Sequence, residues 1–133
     1  MILLDTHTLL WSQFQPQKLG PKSRALIDKH WDRGEIAIPA IAFWEVGMLI
    51  SRGRFDLKVG LREWRAALLQ GGARELSIDG EVAVRAAELA GLHPDPADRF
   101  IAATALAHNA TLMTADEKLL AWRHTLERHD ARQ

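Results

Sequence analysis

Short apolar runs alternate along this chain with longer segments of helical spacing, and this alternation restricts the possible folds more than any other feature. The runs are continuous rather than alternating, which is typical of parallel strands covered by helices on both faces. We therefore predict an α/β fold, a three-layer α/β/α sandwich with a mainly parallel central sheet. The predicted strands are residues 2–4, 35–38, 75–78 and 111–113, with a less regular one at 125–127. The predicted helices are residues 8–14, 22–32, 40–51, 61–70, 80–89, 96–108 and 116–122.

The composition fits one ordinary globular domain over residues 1–133, with 47% hydrophobic and 26% charged residues. The chain has no cysteine, which excludes disulfides, zinc–thiolate sites and thiol catalysis. No apolar stretch is long enough to cross a bilayer, and the first residues lack the pattern of an export signal. We expect a cytoplasmic protein with no membrane partner.

The overall charge does not indicate a nucleic-acid partner, because 17 Lys and Arg residues balance 17 Asp and Glu residues. Residues 52–65 are a local exception, with five bases against two acids and a net charge of +3. Two interpretations of this basic patch are open. It is either a solvated helix face or a surface that contacts nucleic-acid phosphates.

Two single acids stand out against apolar surroundings. Asp5 directly follows the first predicted strand, where an Asp can also cap the next helix. Glu45 is the only polar residue within residues 40–50, which are otherwise apolar or glycine. A carboxylate in a buried helix must pair with a cation, reach solvent or remain protonated. A structural Glu45–Arg ion pair therefore stays open beside a functional role.

The segment HPDPADRFIAATA contains two further acids at a predicted helix start. Asp95 fits the N-cap position, Pro96 the first helical position and Asp98 the first turn. Capping accounts for Asp95. It accounts less well for Asp98, because a second acid adds repulsion to a helix otherwise bound for the core, and Arg99 is the expected compensating cation.

The last acid lies in TLMTADEKLL, after an apolar strand. Thr114 and Glu117 have the spacing of a capping box for the following helix. This interpretation explains both of those residues and leaves Asp116 without a necessary structural task.

The acids should meet, because the carboxyl ends of parallel strands share one edge of a sheet. Asp5 and Asp116 can converge there with the helix residues Glu45 and Asp98. Four carboxylates in one small cleft require cations, and all-oxygen ligands predict Mg²⁺ or Mn²⁺. Such an ion lowers the pKa of water and stabilises charge on a phosphoryl group. This chemistry indicates phosphodiester hydrolysis.

Four parts of the sequence, in their order and spacing, resemble a PIN-domain ribonuclease of the VapC toxin type. They are MILLDTHTLLW, the isolated Glu45, HPDPADRFIAATA and TLMTAD. The resemblance implies that Asp5, Glu45, Asp98 and Asp116 bind metal and act in catalysis, with Thr114 as a helper. It also implies Mg²⁺- or Mn²⁺-dependent endonucleolytic cleavage of RNA, a homodimer and a cognate antitoxin that blocks the site.

Other features qualify this resemblance. Ala97 stands where many relatives have Phe, so we expect different local packing there. The helix residues Trp44, Met48, Trp64 and Leu68 suggest more apolar surface than a small sheet covers, which agrees with a homodimer. Tryptophans are more often core or interface residues, but an exposed one would suit an unpaired RNA base.

Two other function classes stay open. One is a Mg²⁺-dependent phosphotransfer or phosphatase domain, although phosphatases of the haloacid-dehalogenase type need a second Asp where this chain has His7. The other is a catalytically silent binding module with the same fold. A metal titration followed by an RNA cleavage assay separates all three classes.

Overall fold

The computed structural model describes residues 1–133 and has a five-stranded sheet at its centre. Every strand pairing is parallel, so the predicted α/β fold is confirmed and the sheet is parallel throughout. The strands are β1 (Ile2–Leu4), β2 (Ile36–Pro39), β3 (Arg74–Leu76), β4 (Thr111–Thr114) and β5 (Arg128–Asp130), in the order β3-β2-β1-β4-β5. The helices are α1 (Thr6–Phe14), α2 (Pro21–Asp32), α3 (Ala40–Ser51), α4 (Leu61–Gln70), α5 (Gly80–Glu88), α6 (Pro96–Ala107) and α7 (Glu117–Ala121), with a 3₁₀ turn at Pro16–Lys18.

Both faces of the sheet are buried under helices. Successive side chains of a strand point to opposite faces, so β1 contributes to the core on each side. Ile2 and Leu4 of β1 belong to one core cluster, which also contains residues of α1, α2, α3 and α4. Leu3 belongs to a second cluster, together with residues of α6 and α7. The predicted three layers are therefore present. No helix combines the length and apolar character needed to span a bilayer.

The order of the strands creates a crevice beside β1. The chain passes from β1 to β2 on one side, whereas β4 lies on the other side of β1. In open parallel sheets, ligand sites form where the connections diverge in this way, outside the carboxyl ends of the strands. Leu4 is opposite Met113 in the register, so Asp5 and Thr114 follow side by side.

Two predicted boundaries differ from the structure for identifiable reasons. The strand expected at residues 125–127 is formed instead by β5, whose side chains are only half-buried at the edge of the sheet. Leu126 is buried in the second core cluster but precedes the strand. The apolar residue on which the prediction relied therefore lies before β5 rather than within it. Helix α1 begins at Thr6, two residues before its predicted start, because Asp5 caps it.

Candidate functional site

Five carboxylates line a cleft of about 370 Å³ at the crevice beside β1. The other lining residues are Thr6, His7, Trp11, Ile101 and Ala115, so no Lys or Arg side chain faces the cleft. The five acids include all four predicted site residues and also the helix cap Asp95; they are Asp5, Glu45, Asp95, Asp98 and Asp116.

Asp5 is buried and is held by hydrogen bonds at both carboxylate oxygens. The Thr8 amide donates to Oδ1 at 2.9 Å, which makes Asp5 the N-cap of α1. The Thr114 hydroxyl donates to Oδ2. Burial raises the pKa of Asp5, and these hydrogen bonds oppose the rise only in part. The Asp5 carboxylate is therefore held in one position, and its charged form is unfavourable without a nearby cation.

Thr114 joins two of the acids, and this contact contradicts the predicted capping box. Its Oγ1 accepts a hydrogen bond from the Asp116 amide at 3.0 Å while donating to Asp5. Asp116 itself is the N-cap of α7, with Oδ1 accepting from the amides of Lys118 and Leu119 at 2.9 Å. Glu117 instead pairs with Arg132 at 2.6 Å. The prediction of a capping box was wrong because Thr114 ends β4 and faces the neighbouring strand.

Glu45 extends from α3 into the cleft and has no arginine partner. The Thr6 hydroxyl donates to its Oε1, and no Arg side chain lies within ion-pair distance. The alternative of a structural Glu45–Arg ion pair is therefore wrong. Burial raises the pKa of Glu45, against the opposing effects of the Thr6 hydrogen bond and the nearby His7.

Asp98 lies in the first turn of α6, where Asp95 caps the helix by accepting from the Asp98 amide at 3.0 Å. Burial is the largest cause of a rise in the pKa of Asp98 to about 7, and the neighbouring carboxylates, foremost Asp116, add to it. The expected compensation by Arg99 was wrong. That guanidinium donates to backbone carbonyls, including those of Ala86 at 3.0 Å and Leu89 at 2.7 Å, and so ties α6 to α5.

Sequence reasoning missed two residues beside the acids. Thr6 was not linked to Glu45, because the partners are 39 residues apart. His93 places Nε2 at 3.1 Å from Asp98 Oδ2, a contact at ion-pair distance without hydrogen-bond geometry. One ligand atom from each of His93, Asp98 and Asp116 lies within 4.8 Å of the others. His93 does not line the cleft and faces a neighbouring hollow beside Lys118 and Trp122. In the sequence, the position of His93 just before the capped start of α6 was the feature that could have indicated its closeness to Asp98.

The donor set of the cleft fits a hard divalent cation. Five acids converge without a lysine or arginine among the lining residues, and burial raises the pKa of three of them, Asp5, Glu45 and Asp98. Each carboxylate would be stabilised in its charged form by a positive ion nearby. Oxygen donors of this kind suit Mg²⁺ or Mn²⁺ better than softer metals.

Comparisons with known proteins agree with this architecture. The model of the PIN domain family matches residues 2–123. Ribonuclease VapC22 of Mycobacterium tuberculosis (strain ATCC 25618 / H37Rv) is 36% identical over 124 residues, which make up 92% of this chain and 92% of that protein.

Solved structures resemble the whole chain. VapBC2 from Rickettsia felis, bound to a DNA fragment from its promoter, has a TM-score of 0.70 and 21% identity, and the match covers 97% of this chain and 98% of that one. DNA-bound VapBC from Salmonella typhimurium has a TM-score of 0.62 and 20% identity, with coverage of 97% and 96%. At these identities the likeness establishes the fold.

Proposed function

Because the chain belongs to the PIN-domain family, we propose that it is a metal-dependent endoribonuclease, which hydrolyses RNA phosphodiester bonds at the carboxylate cleft. The observation that carries this proposal is the convergence of five acids, free of Lys and Arg, at the carboxyl ends of β1 and β4. The name of the related ribonuclease VapC22 supports RNA as the substrate. On the same basis we assign the protein the role of toxin in a toxin–antitoxin pair.

Four acids would hold the metal ion, which we take to be Mg²⁺ or Mn²⁺: Asp5, Glu45, Asp98 and Asp116. When bound, the ion supplies stabilisation of charge on the phosphoryl oxygens and promotes ionisation of water. The protein contributes fixed ligand positions. Thr114 orients Asp5 through its hydroxyl, which is the helper role expected for it, and Thr6 orients Glu45 in the same way. Hydrogen bonds of this kind commonly tune ligand carboxylates.

The proposed partners are RNA, a cognate antitoxin and a second copy of the chain. The related VapBC structures, which are complexes, support a protein partner. The apolar surface inferred from sequence is smaller than expected, because Trp64 and Leu68 are buried in the chain's own core. The large apolar side chains that remain exposed are Phe14, Trp44, Val59 and Val84. Light scattering of the purified protein, with and without its antitoxin, measures both assemblies.

Membership of the PIN-domain family argues against a phosphotransfer or phosphatase domain. An RNA cleavage assay distinguishes an active nuclease from a catalytically silent binding module. We expect Mg²⁺ or Mn²⁺ to support cleavage of single-stranded RNA and EDTA to abolish it. Asp5→Asn, Asp98→Asn and Asp116→Asn should each lower the cleavage rate by about 100-fold or more, since even residues that only support a metal ligand contribute 10- to 100-fold.

Asparagine is the informative replacement, because it still caps a helix and therefore preserves the starts of α1 and α7. Asp28→Asn, which removes an exposed acid from α2, is the matched control and should cleave at the parent rate. Parent-rate cleavage by two of the three site variants would refute the proposed metal site.

A further inference from the structure

A second groove opens directly from the carboxylate cleft, between α3 and the start of α6. The two share His7, Glu45 and Asp95, so the groove continues the cleft rather than forming a separate pocket. Beyond the shared residues its walls are formed by Trp44, Met48, Leu49, Arg52, Pro96 and Ala97. A substrate chain that crosses the cleft must leave it on two sides, and this groove is one available path.

Trp44 presents an unused aromatic surface in this groove. Its side chain is 56% exposed, whereas Trp64 and Trp122 are buried and the other two tryptophans are half-buried. The remaining exposed aromatic side chain, Phe14, is packed 5.4 Å from Phe55 between ring centroids. The Trp44 indole has no such aromatic neighbour and makes no side-chain hydrogen bond. An exposed indole with a free face is suited to stacking on a base.

Arg52 supplies a free positive charge at the other end of the same wall. Within the basic patch at residues 52–65, Lys58 pairs with Asp56 and Arg65 pairs with Glu75. Arg52 is exposed and has no acidic partner. Residues 44, 48 and 52 recur at intervals of four, which places them on one face of α3 and its C-cap.

We propose that Trp44 and Arg52 form a subsite for a nucleotide next to the cleaved phosphate, with the base stacked on the indole and a backbone phosphate paired with the guanidinium. The inference rests on the proposed RNA cleavage and adds the path of the strand beyond the cleft. Single-stranded RNA fits these groups best, because its bases are unstacked and its backbone complements an unpaired arginine. The small Ala97 side chain opposite leaves the groove open to a base.

The test combines protein variants with abasic RNA. A labelled single-stranded RNA that is cleaved at one position is prepared with one abasic nucleotide at each of the three positions on either side of the cut. Trp44→Ala should lower kcat/KM for the intact RNA by about 5- to 150-fold, the range for loss of one stacked base. At one flanking position the abasic RNA should show the same loss with the parent protein and no further loss with Trp44→Ala. Trp44→Phe should retain most of the activity.

Arg52→Ala should weaken binding of every RNA in the set and reduce the dependence of binding on salt. Val84→Ala, which shortens an equally exposed apolar side chain on α5, is the matched control and should leave kcat/KM unchanged. Equal losses with all the abasic RNAs for Trp44→Ala would overturn the subsite. So would a change from dimer to monomer by light scattering, because Trp44 would then be a contact between copies of the chain.

Fluorescence anisotropy in EDTA separates this inference from the proposed function. Binding of the same RNAs without metal should give the same pattern of non-additive losses. If the parent protein cleaves no RNA with any divalent cation, the proposed function fails, and binding of a single-stranded RNA with one abasic nucleotide at each position in turn decides the subsite. Equal binding of all the RNAs by Trp44→Ala and the parent protein would refute the subsite even if cleavage is observed.

Discussion

Glu45 is the cleft acid whose role one substitution tests most directly, because its only side-chain hydrogen bond comes from Thr6. In Glu45→Gln the amide fills the same space and its oxygen can still accept from that hydroxyl, so only the charge is lost. We expect a fall in the cleavage rate of about 100-fold or more, with the free energy of unfolding unchanged within about 1 kcal/mol. Cleavage assays and thermal unfolding without metal, on one preparation, measure both quantities.

The matched control for this substitution is Glu88→Gln at the exposed end of α5, which should alter neither quantity. Full activity of Glu45→Gln together with a large loss of stability would instead give Glu45 a structural role and reduce the site to Asp5, Asp98 and Asp116.

At this scale the sequence was sufficient to find the acids but not the side chains that hold them. An isolated carboxylate in an apolar segment is visible locally, because burying it is costly. A hydroxyl partner is not, because Thr6 and Glu45 meet only after α1 and α3 pack together. Thr114 illustrates the same limit, since its local spacing fits a capping box while its tertiary contact is with Asp5.

Three helices begin at the cleft, each capped by one of its acids. Asp5, Asp95 and Asp116 are the N-caps of α1, α6 and α7. Helix N-termini favour negative charge, so the same residues start the helices and gather carboxylates at one place. Capping a helix and binding a metal ion are therefore compatible roles for Asp5 and Asp116. Helix starts are readable from sequence for this reason, whereas the half-buried edge strand β5 carries little apolar signal.

The link between β1 and β4 through Thr114 is the contact between elements that most affects the cleft. Thr114→Val keeps the shape but removes the donor to Asp5 and the acceptor for the Asp116 amide. We expect a loss of about 1 to 3 kcal/mol in the free energy of unfolding, as for other buried groups left unpaired, and about 10-fold weaker Mn²⁺ binding. Chemical denaturation and calorimetric titration measure these changes.

Thr114→Ser retains the hydroxyl and should restore most of the Mn²⁺ affinity, although it also loses a buried methyl group. If the serine and valine variants bound Mn²⁺ equally weakly, the methyl group rather than the hydroxyl would be the part of Thr114 that matters.

For the whole molecule, the sequence predicted the layers and the meeting of strand ends but not the order of the strands. The continuous apolar runs require helices on both faces of the sheet, and parallel strands place their carboxyl ends together. Which strands become neighbours depends on contacts between distant segments, such as the pairing of β1 with β4. That pairing brings Asp5 beside Thr114 and completes the cleft.

The crowded acids couple the stability of the whole chain to pH and to metal. The pKa of Asp98 is raised from its ordinary value of 3.8 to about 7, so between these pH values the folded protein holds a proton that the unfolded chain has released. The free energy of unfolding without metal should therefore fall as the pH rises through this window. A divalent cation replaces the proton and should stabilise the fold more at pH 8 than at pH 5.

Asp98→Asn isolates this effect, because the amide removes the charge and keeps the shape. The difference between the two pKa values corresponds to at most about 4 kcal/mol, and rearrangement of the metal-free cleft should reduce the gain for Asp98→Asn at pH 8 to about 1 to 2 kcal/mol. The gain should shrink to under about 1 kcal/mol near pH 4, where Asp98 is protonated in the folded protein and partly protonated in the unfolded chain. Denaturation of both proteins in EDTA from pH 4 to pH 8, with Asp28→Asn as the remote control, measures it. A variant less stable than the parent at pH 8 would contradict the crowding of these carboxylates.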